Sequence, residues 1–268
     1  MKLHILVPAV LMLACCGRSS AGANDIAPGG TLRAVYLGTN PAQAIRDPAT
    51  GEVRGTSFDL ARELARRNGI ALEFRPIAGP PAVIEAVKSG AADIGFVAYE
   101  ATRVGTVEFS QTYLLVQQSF LVPGDSPIHL VADVDRAGLK VAGTRNDSMA
   151  LCLKRLLKQA TLVELENNSE VLVKAMMARE IDVLGANRQR LSTLAKDVPG
   201  ARLLPDNLFN VPQNIVVPMG SPRALAAVNA FIDDVRASGF LRDAVARSGA
   251  VGVAAAPASP GSAHGCPN

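Results

Sequence analysis

The chain has 268 residues, of which 49% are hydrophobic and 4% aromatic, with no tryptophan and a formal charge of +3. The hydrophobic share supports sizeable cores, and about 225 folded residues suffice for two lobes of ordinary domain size. The charge is slight and the basic residues are scattered, which argues against a nucleic-acid partner.

Residues 1–23 read as a targeting segment. Lys2 supplies the positive start, and Ile5 to Ala14 is an apolar run too short to cross a bilayer as a stable helix. Two processing sites compete. Met12-Leu13-Ala14-Cys15 resembles a lipobox, which leaves Cys15 lipidated, whereas Ala21-Gly22-Ala23 before Asn24 is an A-x-A site. Both imply export, to the periplasm. No later stretch is apolar and long enough for a membrane span.

The fold is expected to open with a strand over Thr31 to Leu37, followed by a loop carrying Asn40 and Gln43. Gly55 to Asn68 reads as a helix, with Phe58, Ala61, Leu64 and Ala65 on one face and arginines on the other. Gly69 ends it, and Leu72 to Ile77 makes a second strand. Pro81 to Lys88 is a helix punctuated by proline at its start and Gly90 past its end. Asp93 to Val97 is an apolar run without alternation, the mark of a strand buried on both faces. This β-α-β-α-β order predicts a parallel sheet with right-handed crossovers. Ligands bind beyond the carboxyl ends of such strands, which is where Ala98, Tyr99, Glu100 and Arg103 fall.

Tyr113 to Pro123 is long, apolar and extended, and reads as a crossover into a second α/β pattern. There the strands are Leu139–Ala142, Thr161–Leu165 and Ile181–Ala186. The helices are Ser148–Gln159, Ser169–Arg179 and Arg188–Lys196. Asn214 to Val217 leads back, a helix starts at Ser221-Pro222, and Phe240 to Ser248 is the last helix. From Ala250 onward alanine, glycine, proline and serine dominate without periodicity, the composition of a structureless tail. Cys152 falls on an apolar helix face and reads as a small buried hydrophobe; a bridge to Cys266 is not expected.

The run from Ser89 to Ser110, S-G-A-A-D-I-G-F-V-A-Y-E-A-T-R-V-G-T-V-E-F-S, resembles the signature of bacterial periplasmic solute-binding proteins of the polar-amino-acid type, extracellular solute-binding family 3. Arg103 and Ser110 keep the family's spacing. The resemblance covers roughly residues 30–248 and implies a type II clamshell. Each lobe would be a mostly parallel sheet flanked by helices, with a two-strand hinge. It divides the chain into a first lobe over 30–117, a second over 118–217 and a return to the first over 218–249, before the tail at 250–268.

The resemblance also assigns a site. Arg103 would grip a ligand carboxylate through the planar fork that lysine cannot reproduce. Asn40, Gln43, Ala98 and Tyr99 would complete the first lobe's side, although Gln43 stands where the family usually has an aromatic residue. Phe96 and Ala98 lack the hydroxyls usual near those positions. In the second lobe Asn146-Asp147-Ser148 matches a Gly-Thr-Thr type turn at a helix N-terminus, where free N–H groups favour an anion. Asp147 or Ser148 there is equally readable as an N-cap. Arg145 could add a second positive group. Asn187 replaces the family's ammonium-holding aspartate, which leaves Glu100 as the candidate counter-charge and favours a ligand more anionic than a zwitterion.

The resemblance thus implies a monomer that delivers a small carboxylate-containing solute, organic anion or amino acid, to an ABC-type permease. Two alternatives stand beside it: a dehydratase-like enzyme on the same fold, and a ligand sensor read by a receptor. The only histidines are His4, His129 and His264, from which no Ser-His-Asp set, metal site or phosphate loop can be built. No cofactor and no metal are expected.

Overall fold

The computed structural model describes residues 25–258 and 265–267. The expected targeting segment, Cys15 and the A-x-A site therefore lie outside the described residues. Among those described, no helix is long and apolar enough to cross a membrane.

The first lobe begins with β1 (Thr31–Leu37), the short hairpin β2 (Ile45–Arg46) and β3 (Val53–Arg54), then α1 (Thr56–Asn68) and β4 (Ala71–Ile77). α1 buries Leu60, Ala61, Leu64 and Ala65 and stops at Gly69, whose φ of 65° closes the helix without a Cβ penalty. α2 (Pro80–Lys88) follows, with proline in its first turn, and then β5 (Ile94–Ala98), buried at every position. β1 pairs in parallel with β4 on one side and β5 on the other.

β6 (Val107–Val122) is longer than the extended run expected from Tyr113, because the strand starts six residues earlier and continues into the second lobe. There β7 (Lys140–Thr144), α3 (Ser148–Leu156), β8 (Thr161–Leu165), α4 (Ser169–Met177), β9 (Val183–Asn187) and α5 (Arg188–Leu194) follow in order. β7 pairs in parallel with β8 and β9. After the short β10 (Arg202–Leu203), β11 (Phe209–Pro218) returns antiparallel to β6 along its length. Pro212 lies within it; the proline nitrogen gives up no donor that the ladder needs, and its carbonyl accepts from the Tyr99 amide at 2.9 Å. α6 (Pro222–Ala237) and α7 (Phe240–Ser248) pack back on the first lobe.

The strands form one path, β4-β1-β5-β11-β6-β9-β7-β8. β6 and β11 are thus members of both lobes and the connection between them. Each lobe has cores on both faces of its strands: one under α1, α6 and α7, one under α2, one under α3, and one under α4 and α5.

The C-terminal region departs from the composition-based expectation. β12 (Val253–Ala255) pairs with Leu114–Val116 of β6, and Ala256 donates to the Tyr113 carbonyl while accepting from Arg236 Nε. A disulfide joins Cys152 of α3 to Cys266. Alanine and valine carry no turn signal, but β6 offers an open edge whose backbone groups need partners. The bridge, weighed and set aside from the sequence, joins cysteines 114 residues apart, a separation that carries no local signal. Cys152 is nonetheless fully buried, as an apolar helix face demands.

Candidate functional site

The two lobes use one device to place their strands. In the first, Asp93 precedes β5 and accepts the Arg33 backbone N–H at 2.8 Å, while its carboxylate takes the Arg33 fork at 2.6 and 3.2 Å. In the second, Asp182 precedes β9 and accepts the Lys140 N–H at 2.7 Å. These acidic residues are structural. They fix the amino ends of β5 and β9, whose carboxyl ends then face each other across a cleft.

Into that cleft the 3-10 turn Ala101–Arg103 brings Arg103. Its guanidinium is buried at the seam: Nη1 donates to the Ala98 carbonyl at 2.8 Å, and Nη2 to the Asn146 carbonyl of the second lobe at 2.9 Å. Asn146 has a φ of 62°, in the left-handed region that asparagine tolerates better than most residues. No carboxylate among the described residues lies within ion-pair distance of Arg103. Burial lowers the proton affinity of this guanidinium, and Glu100 and Asp147 act in the opposite direction from farther away. Ser110, the other end of the signature, lies outside the cleft. Its Oγ accepts the Ile215 amide where the β6–β11 register shifts. Phe109 packs edge-on against Tyr99.

Between the lobes lies a cavity of about 20 Å³, lined by Asn40, Ala98, Arg103, Asp147, Ser148 and Asn187 together with Gln118, Gln213 and apolar neighbours. That is room for about one water molecule. Six of the nine expected ligand residues therefore meet at one place. The other three do not. Gln43 is fully buried behind it: its Oε1 accepts the Leu37 amide, and its Nε2 donates to the Phe96 carbonyl and to Gln213 Oε1. Gln43 thus positions Gln213, which does line the cavity. Tyr99 is exposed and faces a larger cavity of about 350 Å³ at the rim, shared with Glu100, Arg155, Phe209 and the segment around Cys266. Arg145 is exposed and lines neither cavity; the turn at Asn146 directs it outward.

Asp147 occupies the N-cap position of α3, yet its side chain bonds none of the helix amides. Capping therefore does not account for it. The Ser148 hydroxyl is buried without a hydrogen-bond partner, as is Thr144 Oγ1 at the end of β7. Asn187 is committed at both ends of its amide: Oδ1 caps α5 by accepting from Arg190 N at 2.8 Å, and Nδ2 donates to Asn40 Oδ1 at 3.2 Å. Asn167 forms a second bridge between the lobes, donating to Thr39 Oγ1 and the Ala78 carbonyl. Burial pushes the Glu100 carboxyl up, against the pull of the nearby Ser148 hydroxyl and then of Arg103; that hydroxyl lies close to Glu100 without meeting full hydrogen-bond geometry.

Sequence reasoning missed Arg190, Asn167 and Gln213. For Arg190 a signal was available: an arginine three residues into a helix that follows a buried strand lies at the carboxyl edge of the sheet. Asn167 and Gln213 gave none.

The sequence profile of the bacterial extracellular solute-binding proteins, family 3, matches residues 32–247. The chain belongs to this family. A glutamine-binding protein of Geobacillus stearothermophilus is 27% identical over 176 residues, 64% of this chain and 66% of that relative, just under two thirds of its length. Among solved structures, an ancestral amino-acid-binding protein described as a precursor of cyclohexadienyl dehydratase superposes with a TM-score of 0.71 at 23% identity, over 84% of this chain and 97% of that one. An amino acid ABC transporter substrate-binding protein from Streptococcus pneumoniae, bound to L-arginine, gives 0.71 at 19% identity, over 83% and 96%. These likenesses give this family 3 protein the two-lobed type II fold, in agreement with its α/β sheet and double crossing.

Proposed function

We propose that this family 3 protein captures a small carboxylate-containing solute between its lobes and delivers it, as a monomer, to an ABC-type permease. The observation that carries the reading is Arg103. A buried guanidinium bonded only to carbonyls, one from each lobe, is a cation lacking an anion, and a carboxylate is the planar partner its fork matches. The matches to a glutamine-binding protein and an amino-acid transporter component support a solute of that size and class. A cavity of about 20 Å³ is far below such a solute's volume, so the lobes part to admit it and close around it.

Asn187 favours a simple organic anion over a zwitterion, because its amide carries no charge to offset an ammonium and both its ends are engaged. Asp147 is the one carboxylate lining the cavity, and it faces two arginines. The likeness to a dehydratase precursor keeps an enzymatic reading in view, but the cleft cavity presents no carboxylate pair for acid–base work. Export to the periplasm is part of the same reading, and a disulfide fits an oxidising compartment. The mature N-terminus, lipidated Cys15 or free Asn24, is separated by mass spectrometry of the purified protein.

Calorimetry with a panel of monocarboxylates, 2-oxo acids and amino acids tests the function. Wild type is expected to bind members of the panel, and Arg103→Ala to weaken that binding by roughly 100-fold or more, on the scale of a broken buried ion pair. The variant's melting temperature without ligand should stay within a few degrees. Unchanged affinity in Arg103→Ala removes Arg103 from the site.

A further inference from the structure

We infer that the second lobe contains a second oxyanion subsite, built on Arg190 with Ser148 and Thr144, and that the solute therefore carries two acidic groups. This rests on the carboxylate reading of Arg103 given above and extends it to the other end of the ligand.

Arg190 is 4% exposed. Its Nη1 donates to Asn167 Oδ1 at 2.7 Å, but Nε and Nη2 are buried with no hydrogen-bond partner among the described residues. Nε and Nη2 form one edge of the guanidinium fork, the edge that receives a carboxylate or phosphate in bidentate fashion. Leaving it bare is expensive in a protein interior, because a buried charge has lost its water and gained nothing in exchange.

Its location places it at the cleft. The two residues that Arg190 touches, Asn167 through its side chain and Asn187 through its backbone N–H, are the residues that reach across to Thr39, Ala78 and Asn40 of the first lobe. Thr144 ends β7 and Asn187 ends β9, neighbouring parallel strands whose carboxyl edge is where ligands of such sheets bind. Ser148 lines the cavity at 2% exposure, with an unpartnered hydroxyl. Arg190 and Thr144 thus offer donors at one sheet edge that the protein itself does not use, and the Ser148 hydroxyl beside them has only the loosely placed Glu100 carboxyl near it. Asp147 and Glu100 are the near acidic groups: Asp147 acts on Arg190 from a distance and makes no ion pair with it within 4.0 Å, and Glu100 lies on the Ser148 side. A second acidic group on the ligand supplies what the fork and the two hydroxyls lack, while Arg103 holds the first.

The test compares matched probes by calorimetry: succinate against butyrate, 2-oxoglutarate against 2-oxobutyrate, and L-glutamate against L-glutamine. Wild type is expected to favour the diacid in each pair. Arg190→Met should lower diacid affinity roughly 10- to 100-fold while changing monoacid affinity less than about threefold, the scale of hydrogen bonds to a charged group. Arg190→Lys, which keeps the charge and loses the fork, should fall between. Because the bare guanidinium edge burdens the unliganded protein, Arg190→Met should melt no lower than wild type without ligand. Equal binding of both members of every pair by wild type overturns the second subsite and leaves Arg103 in place. A uniform loss for monoacids and diacids in Arg190→Met, with a lowered melting temperature, makes Arg190 a structural residue. Failure of wild type to bind any carboxylate overturns the Arg103 reading along with this one. Preference for glutamate over 2-oxoglutarate would mark the diacid as an amino acid and give Asp147 the ammonium.

Discussion

Lobe 1 faces the cleft with polar side chains that hold one another, whereas lobe 2, beside the bonded Asn167 and Asn187, leaves part of the Arg190 fork and the Thr144 hydroxyl without a partner. Gln43 engages Leu37, Phe96 and Gln213, so the floor of the first lobe is wired before any ligand arrives. Across the gap, Arg190, Thr144 and Ser148 keep donors bare in the interior. A satisfied network rigidifies and specifies one shape, whereas bare buried donors cost free energy until another molecule reaches them. On the proposed reading the contrast divides labour within one fold: the first lobe shapes the cavity, and the second holds the donors a solute would engage.

The largest effect that sharpens this contrast concerns how the second lobe is held. α3 carries both Ser148 and Cys152, so the bridge to Cys266 braces the helix that presents the cleft turn. Cys152→Ser should lower stability by about 2–4 kcal/mol, measured by denaturant titration against wild type under oxidising conditions. The same titration in reductant should bring wild type to the variant's midpoint. A midpoint unmoved by either change would show that apolar packing of α3 alone secures the second lobe.

Much of the fold was legible because its signals are local. Buried strands without alternation, as in Ile94–Ala98, and amphipathic helices closed by glycine, as at Gly69, announce themselves in a short window. Cleft residues read from strand ends, Asn40, Ala98, Arg103, Ser148 and Asn187, were brought together for the same reason: the carboxyl edge of a parallel sheet is set by strand order. What failed needs distance or direction. Arg145 and Asp147 are two residues apart, and only the left-handed Asn146 between them decides which faces inward. Gln43 sits in the right loop but spends its amide on the backbone behind the cavity. The tail's strand and disulfide depend on an open edge of β6 that composition cannot reveal.

A middle-sized effect turns on Asn187, the residue by which lobe 2 touches Asn40 of lobe 1. Asn187→Asp keeps the cap on α5 and adds the charge that an ammonium needs. Wild type should bind a 2-oxo acid more tightly than the matching amino acid, and the variant should reverse that order with a gain for the amino acid of roughly 10-fold. Calorimetry on the two proteins with the same pair decides it. Tighter binding of the amino acid by wild type would move the ammonium's partner to Asp147 or Glu100.

The smallest effect is a pH dependence. Burial raises the Glu100 pKa, so the neutral acid is favoured and charge appears only as pH rises through that raised value. Ionised Glu100 opposes an anion held at Arg103. Affinity for a 2-oxo acid, which stays ionised throughout, should therefore rise as pH falls through the raised Glu100 value, above the ordinary carboxyl range. Glu100→Gln should flatten the profile; an unchanged slope in that variant assigns the dependence to another group.

β6 runs unbroken through sixteen residues from Val107 to Val122, belonging to the first lobe's sheet at one end and the second's at the other. At about 3.3 Å per residue it spans roughly 50 Å, and its pairing with β11 slips where β6 carries extra residues between Phe109 and Leu114. Two antiparallel strands paired along their length connect the lobes, so a turn of one lobe against the other is carried by both strands together. The one place where the lacing loosens is the register shift around Gln213 and Asn214, beside the cavity floor. The cavity lining and the irregular stretch of the crossing pair thus share one residue, Gln213.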